Sequence, residues 1–222
     1  MKRAFKHFFA AAMILIMALS LLTGCKSEPK PEEAQAYVQA VLDLMCTGDY
    51  DHSVRLADVE EGKESEVRDG LIDSMMAQIS SESNLNEEVS AAFKDFMINA
   101  LSKAKYTVGE AVASEDGGYD VTVSIEPLQI FAGVSEDINE ILEERINAEA
   151  NDILAMTEEE QSNYVMGILI ELLNKNLEDP KYDKAEEVTV HYGPVEGEND
   201  AYGCSEEEGE KLGAKLFSNE GL

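Results

Sequence analysis

Three cysteines, Cys25, Cys46 and Cys204, and three histidines, His7, His52 and His191, are the side chains of this 222-residue chain best suited to nucleophilic attack, proton transfer or metal ligation. An activated nucleophile needs a base within hydrogen-bond reach and a third group that orients the base. No Ser or Cys here stands in a motif that supplies them. Asp51 directly precedes His52, and neighbouring residues rarely orient one another as a catalytic pair. His191 alternates with Val190 and Tyr192, so it faces water if that segment is a strand. Zinc sites are marked by closely spaced ligand pairs, and none is present. Cys46 and Cys204 lie far apart in the chain, and sequence leaves open whether they pair or remain separate thiols. Asp116 and Asp120 lack the further ligands and terminal Glu of a calcium loop. The acidic runs Glu143-Glu144, Glu158 to Glu160 and Glu206 to Glu208 fall at helix starts or on outer faces, where carboxylates are solvated or favour the helix dipole. These residues predict no catalytic constellation, metal or cofactor.

Cys25 has a different chemistry open to it. It closes Leu22-Thr23-Gly24-Cys25, which follows a basic start, Met1-Lys2-Arg3-Ala4-Phe5-Lys6, and an apolar run from Phe8 to Leu22. That run is shorter than the roughly 20 residues of a spanning helix, and its charge pattern is that of a signal peptide. The segment resembles the lipobox of bacterial lipoproteins. The resemblance implies recognition of Leu22, Thr23 and Gly24 by a signal peptidase, a diacylglyceryl thioether and palmitate on Cys25, and a mature chain beginning there. Two acyl chains give stable anchoring where one gives only marginal binding. The expected location is the outer face of the cytoplasmic membrane, or its periplasmic face in a Gram-negative cell. The expected divisions are a signal peptide at 1–24, a lipidated N-terminus and extended spacer at 25–33, one domain at 34–217 and a tail at 218–222.

Loss of Lys2, Arg3 and Lys6 on cleavage takes the formal charge from −29 to −32. Phosphate binding needs clustered Lys and Arg, so nucleic acid is excluded as a partner. Anionic headgroups would also repel such a domain, which should stand off the bilayer.

The elements that must position any site are helices first. Tyr37, Val38, Val41, Leu42 and Met45 share one face of a helix over about Glu32 to Cys46, ended by Gly48. A second helix is expected within Lys63 to Ser81, and a third after a cap at Asn84 with Glu87. The period then changes to two. Tyr119, Val121, Val123 and Ile125 point inward and Asp120, Thr122 and Ser124 outward, with Lys105 to Ala113 as hairpin partner across a turn at Glu115 to Gly118. Ser135 is expected to cap a helix with a stripe of Ile138, Ile141, Leu142 and Ile146. Thr157 and Glu160 form a capping box for another, which ends at Asp179-Pro180. A strand at Val188 to Tyr192 and a short helix at Leu212 to Phe217 close an α+β domain.

This order, carried by Tyr37 to Tyr50, the Tyr106-Thr-Val-Gly stretch and Tyr119 to Pro127, resembles uncharacterised lipoproteins of Gram-positive bacteria with an NTF2-like or cystatin-like architecture. That resemblance implies amphipathic helices packed on a small, curved antiparallel sheet. It also implies that a ligand site would lie between helices and sheet, at Tyr119, Val121 and Val123. Apolar residues there point to a small hydrophobic or amphipathic ligand if the space is open, and to a closed core if it is not. The role expected is noncatalytic binding or interaction with an extracytoplasmic protein. The alternatives are an NTF2-like enzyme acting on a small hydrophobic substrate and a carbohydrate-binding module at the cell surface.

Overall fold

The computed structural model describes residues 29–56, 59–115, 117–195 and 202–220. Leu22, Thr23, Gly24 and Cys25 lie outside them. Six described helices and four strands form an α+β fold, with the sheet ordered β1-β2-β3-β4 and every pairing antiparallel.

Helix α1 spans Pro31–Thr47. Proline at the first position costs no hydrogen bond, and Glu32 and Glu33 sit where the helix dipole favours negative charge. Gly48 ends it at φ 77°, its N–H donating to the Leu44 carbonyl at 2.9 Å. The folded part therefore begins before the expected boundary at 34. Residues 31–33 are helical, Pro29 is buried, and the Tyr119 hydroxyl donates to the Pro29 carbonyl at 2.8 Å.

Helix α2 spans Glu64–Ser83 and α3 spans Glu87–Leu101. The cap between them differs from expectation. Asn84 adopts the left-handed conformation (φ 51°) and terminates α2, while Asn86 caps α3 by accepting from the Val89 N–H at 2.8 Å. Asparagine tolerates both duties, left-handed backbone and N-cap acceptor, so the sequence Asn-Leu-Asn reads two ways.

Strands β1 (Lys105–Ala113) and β2 (Tyr119–Glu126) form the expected hairpin, turned through Gly117 at φ 89°. A register shift between Val108 and Ala111 marks a bulge in β1. Val121, Val123 and Ile125 are fully buried, and Val123 faces Val108 on one side and Val188 of β3 (Glu186–Pro194) on the other. The opposite face carries polar pairs: Thr122 with Thr189, and Asp120 with His191, whose Nδ1 lies 3.0 Å from the Asp120 carboxylate.

Between β2 and β3 run α4 (Val134–Ala155) and α5 (Glu158–Glu178). Gly133, at φ 74°, precedes α4, and the expected cap Ser135 lies inside the helix. Ile138, Ile141 and Leu142 are half-buried, but Ile146 is exposed. Helix α5 starts with the expected capping box, in which the Thr157 hydroxyl accepts from the Glu160 N–H and the Glu160 carboxylate accepts from the Thr157 N–H. These bonds hold the Glu160 carboxyl below its ordinary value. The pair β4 (Tyr202–Cys204) and α6 (Glu206–Leu216, capped by Ser205) completes the fold. Strand β4, at three residues, is too short to show a period in the sequence. Ser218, expected in a tail, is buried and its N–H donates to Leu128 O at 2.9 Å.

Buried Asn163 of α5 joins the helical layers. Its carbonyl accepts from the Asn86 N–H at 2.8 Å and its amide donates to Asn84 O at 3.1 Å and Glu159 O at 2.9 Å. Asn163→Leu would strand those backbone groups, and a loss of about 1–3 kcal/mol in denaturant unfolding is the expected result.

Candidate functional site

Tyr119, Val121 and Val123 do not enclose a pocket. The two valines have no exposed surface, and the Tyr119 hydroxyl is spent on Pro29. The space beneath the strand is a packed core, the second of the two outcomes that apolar residues there allowed. A larger side chain at Val121 would overpack it.

An open cavity of about 510 Å³ lies instead where the C-terminal half of α1 passes the free edge of β1. Gln39, Asp43, Cys46 and Thr47 of α1 form one wall. Lys105, Tyr106 and Thr107 of β1, with Ser124 and Glu126 of β2, form the other, and Ser102 and Ala104 close the rim. Because Tyr106 lies on the inner face of the sheet and its neighbours on the outer, the cavity wraps the strand edge.

Asp43 organises this site. One of its carboxylate oxygens accepts from the Tyr106 hydroxyl at 2.6 Å and from Gln39 Nε2 at 2.8 Å, and its carbonyl accepts from the Thr47 hydroxyl at 2.8 Å. The spacing explains the convergence: Gln39, Asp43 and Thr47 recur every four residues, so they stack on one helical stripe beside the apolar one. That polar stripe was visible in the sequence, but its strand partner was not. Lys105 is turned away from Asp43, 3.9 Å from Glu126 and 3.7 Å above the Tyr182 ring.

The chemistry available is recognition by hydrogen bonds. Burial, reinforced by the charge of Asp43, pushes the Cys46 thiol up to about 12, against a smaller lowering by its hydrogen bond with Tyr106. Burial and the bond to Asp43 likewise raise the Tyr106 phenol well above its ordinary value. Both groups are protonated at neutral pH, the reverse of an activated nucleophile, and the Tyr106 proton is already donated to Asp43, which leaves the phenol oxygen as an acceptor.

Cys46 and Cys204 are both free and buried, which resolves the question left by sequence. Burial, then the charge of Glu208, also pushes the Cys204 thiol up to about 12. A thiol whose folded value is raised lends stability that is complete below its unfolded value of 9.0 and is lost as pH rises toward the folded one. Stability measured by denaturant should therefore fall steeply from about pH 9 to 12. A thiol reagent at pH 8 should leave both cysteines unmodified until the protein unfolds.

The remaining candidates do not converge on a site. His52 turns from Asp51 to Glu64, with Nε2 at 3.2 Å from the carboxylate, and its ring packs on Tyr50 at 4.8 Å. His191 is on the outer sheet face, with its Nδ1 3.0 Å from the Asp120 carboxylate. Among the described residues, no three His, Cys, Asp or Glu side chains are placed to share a metal ion. No described helix is long and apolar enough to cross a membrane.

No protein-family description matches this sequence, and no curated protein is significantly similar to it. Among solved structures, the fold is similar to that of the "putative lipoprotein (ycdA)" of Bacillus subtilis, with a TM-score of 0.58 at 11% identity over 84% of this chain. The match covers 56% of the Bacillus chain, so this protein spans little more than half of its length. The likeness shows the α+β fold and gives no NTF2-like or cystatin-like assignment.

Proposed function

We propose that this protein is a lipid-anchored extracytoplasmic binding protein that holds a small polar molecule, noncatalytically, in the cavity between α1 and β1. The observation that carries the binding role is the Asp43–Tyr106 pair at 2.6 Å in an open cavity of about 510 Å³, a volume within the range of small-molecule sites. Gln39, Thr47, Ser102, Thr107 and Ser124 offer further hydrogen-bonding groups around it. The lining favours a ligand with several donors and acceptors over the hydrophobic molecule suited to an apolar pocket. The strongly acidic surface would also raise the local concentration of cationic ligands.

The anchor rests on Leu22-Thr23-Gly24-Cys25 at the end of the apolar run. Location at the outer face of the cytoplasmic membrane follows from that reading, and a shared fold with a Bacillus protein described as a lipoprotein agrees with it.

Asp43→Asn tests the binding role against the enzyme alternative. The amide keeps the shape and still accepts from Tyr106, but removes the charge. The substitution should weaken ligand retention at least about tenfold, the effect of roughly 1.4 kcal/mol, and leave the fold intact by circular dichroism. Hydrolase or isomerase turnover that survives rigorous purification and disappears in Asp43→Asn or Tyr106→Phe would establish an enzyme instead.

A further inference from the structure

We infer that the ligand of the α1–β1 cavity is an organic cation, whose ammonium or guanidinium group donates to the second carboxylate oxygen of Asp43. This inference rests on the binding role proposed above and names the class of molecule that the same site takes.

Tyr106, Thr47 and Ser102 all turn hydroxyl groups to the cavity lining, yet each has already given its hydrogen to the protein. Tyr106 donates to Asp43 Oδ1 at 2.6 Å, Thr47 to the Asp43 carbonyl at 2.8 Å and Ser102 to the Asn99 carbonyl at 2.7 Å. A hydroxyl has a single hydrogen, so these groups keep only lone pairs for a ligand. Gln39 likewise spends an amide hydrogen on Asp43 Oδ1, at 2.8 Å. Asp43 Oδ2, by contrast, has no hydrogen-bond partner among the described residues. It is not sealed in either, because no buried side-chain oxygen or nitrogen among them lacks a partner. The site presents acceptors, and a ligand must bring the hydrogens.

Charge then selects among donors. Among the described residues that line the cavity, the charged ones are Asp43, Glu126 and Lys105. Lys105 lies 3.9 Å from Glu126 and over the Tyr182 ring, so it offsets Glu126 and leaves Asp43 without a counter-ion. A hydrogen bond between a cation and a carboxylate is roughly twice as strong as a neutral one. An anionic ligand would instead meet Asp43 and a chain of formal charge −29. A calcium ion takes roughly six to eight oxygen ligands, and no three His, Cys, Asp or Glu side chains among the described residues are placed to share a metal. In an ammonium or guanidinium every polar hydrogen is a donor and no acceptor is present, which complements the lining. The hydroxyls of Thr107 and Ser124, able to donate or accept, are left to the rest of the molecule.

The experiment titrates the full-length protein in detergent, by calorimetry, with three probes of matched length: 1,5-diaminopentane, 1,5-pentanediol and pentanedioate. The diamine should bind saturably at one site, and the diol and diacid at least about tenfold more weakly. Asp43→Asn sets an amide N–H where Oδ2 stood, and should weaken diamine binding at least about tenfold. Lys105→Gln removes the competing cation and frees Glu126, and should tighten it about two- to fivefold, the range of exposed charge pairs. Diamine binding that survives Asp43→Asn would be diffuse attraction to the acidic surface and would overturn the inference, as would weaker binding in Lys105→Gln. Tighter binding of the diol or the diacid would overturn the cation and keep the binding role. If no probe binds, native mass spectrometry of the protein from its host separates the cases. A retained molecule with a basic nitrogen supports the inference, one without it overturns the cation alone, and an empty cavity overturns the binding role as well.

Discussion

Val123→Asp is expected to unfold the domain, whereas Thr122→Asp, one residue away, should leave it folded. Val123 has no exposed surface and sits between Val108 and Val188 at the centre of the sheet. A carboxylate there would lose its hydration without gaining a partner, and the valine packing would be lost as well. Together these cost about 5 kcal/mol or more, comparable to the whole stability of an ordinary domain at about 5–15 kcal/mol. Thr122 lies on the polar face opposite Thr189. An added carboxylate there meets water and the nearby Asp120, for a cost of about 0.5 kcal/mol. Denaturant unfolding of both variants checks this, and equal losses would contradict the assignment of one face to the core and the other to water.

The second large effect is all-or-none. Cys25→Ser should abolish acyl labelling and accumulate a longer precursor, because a hydroxyl cannot form the thioether that the lipobox resemblance implies. Normal processing and membrane retention of that variant would remove the lipoprotein reading.

These expectations differ in how far they could be read from sequence. The hairpin was legible because Tyr119 to Ile125 alternates strictly, so the facing of every residue followed from one pattern. Helix α1 was equally clear, with its apolar face, Pro31 and Gly48 all agreeing. Local ambiguity defeated the caps: Asn84 and Asn86 can each serve as N-cap, and only tertiary packing through Asn163 selects one. Ile146 carries the right spacing for a buried stripe, yet α4 packs mainly on α5 and leaves it exposed.

The site was harder to find than the fold. Its α1 half, Gln39, Asp43 and Thr47, is a regular polar stripe, but such stripes normally face water. Its β1 half depends on α1 crossing the strand edge near Tyr106, a contact spanning 63 residues that no local period encodes. An apolar strand such as Val121 to Ile125 marks a core more surely than it marks a pocket, and here Val121, Val123 and Ile125 have no exposed surface.

Native mass spectrometry of the protein extracted from its host's membranes bears most directly on the account. The expected spectrum is a chain beginning at Cys25 with a diacylglyceryl modification and a noncovalent polar small molecule, the latter lost in Asp43→Asn. A chain that retains Met1 without lipid, or an empty cavity identical in both proteins, would contradict it.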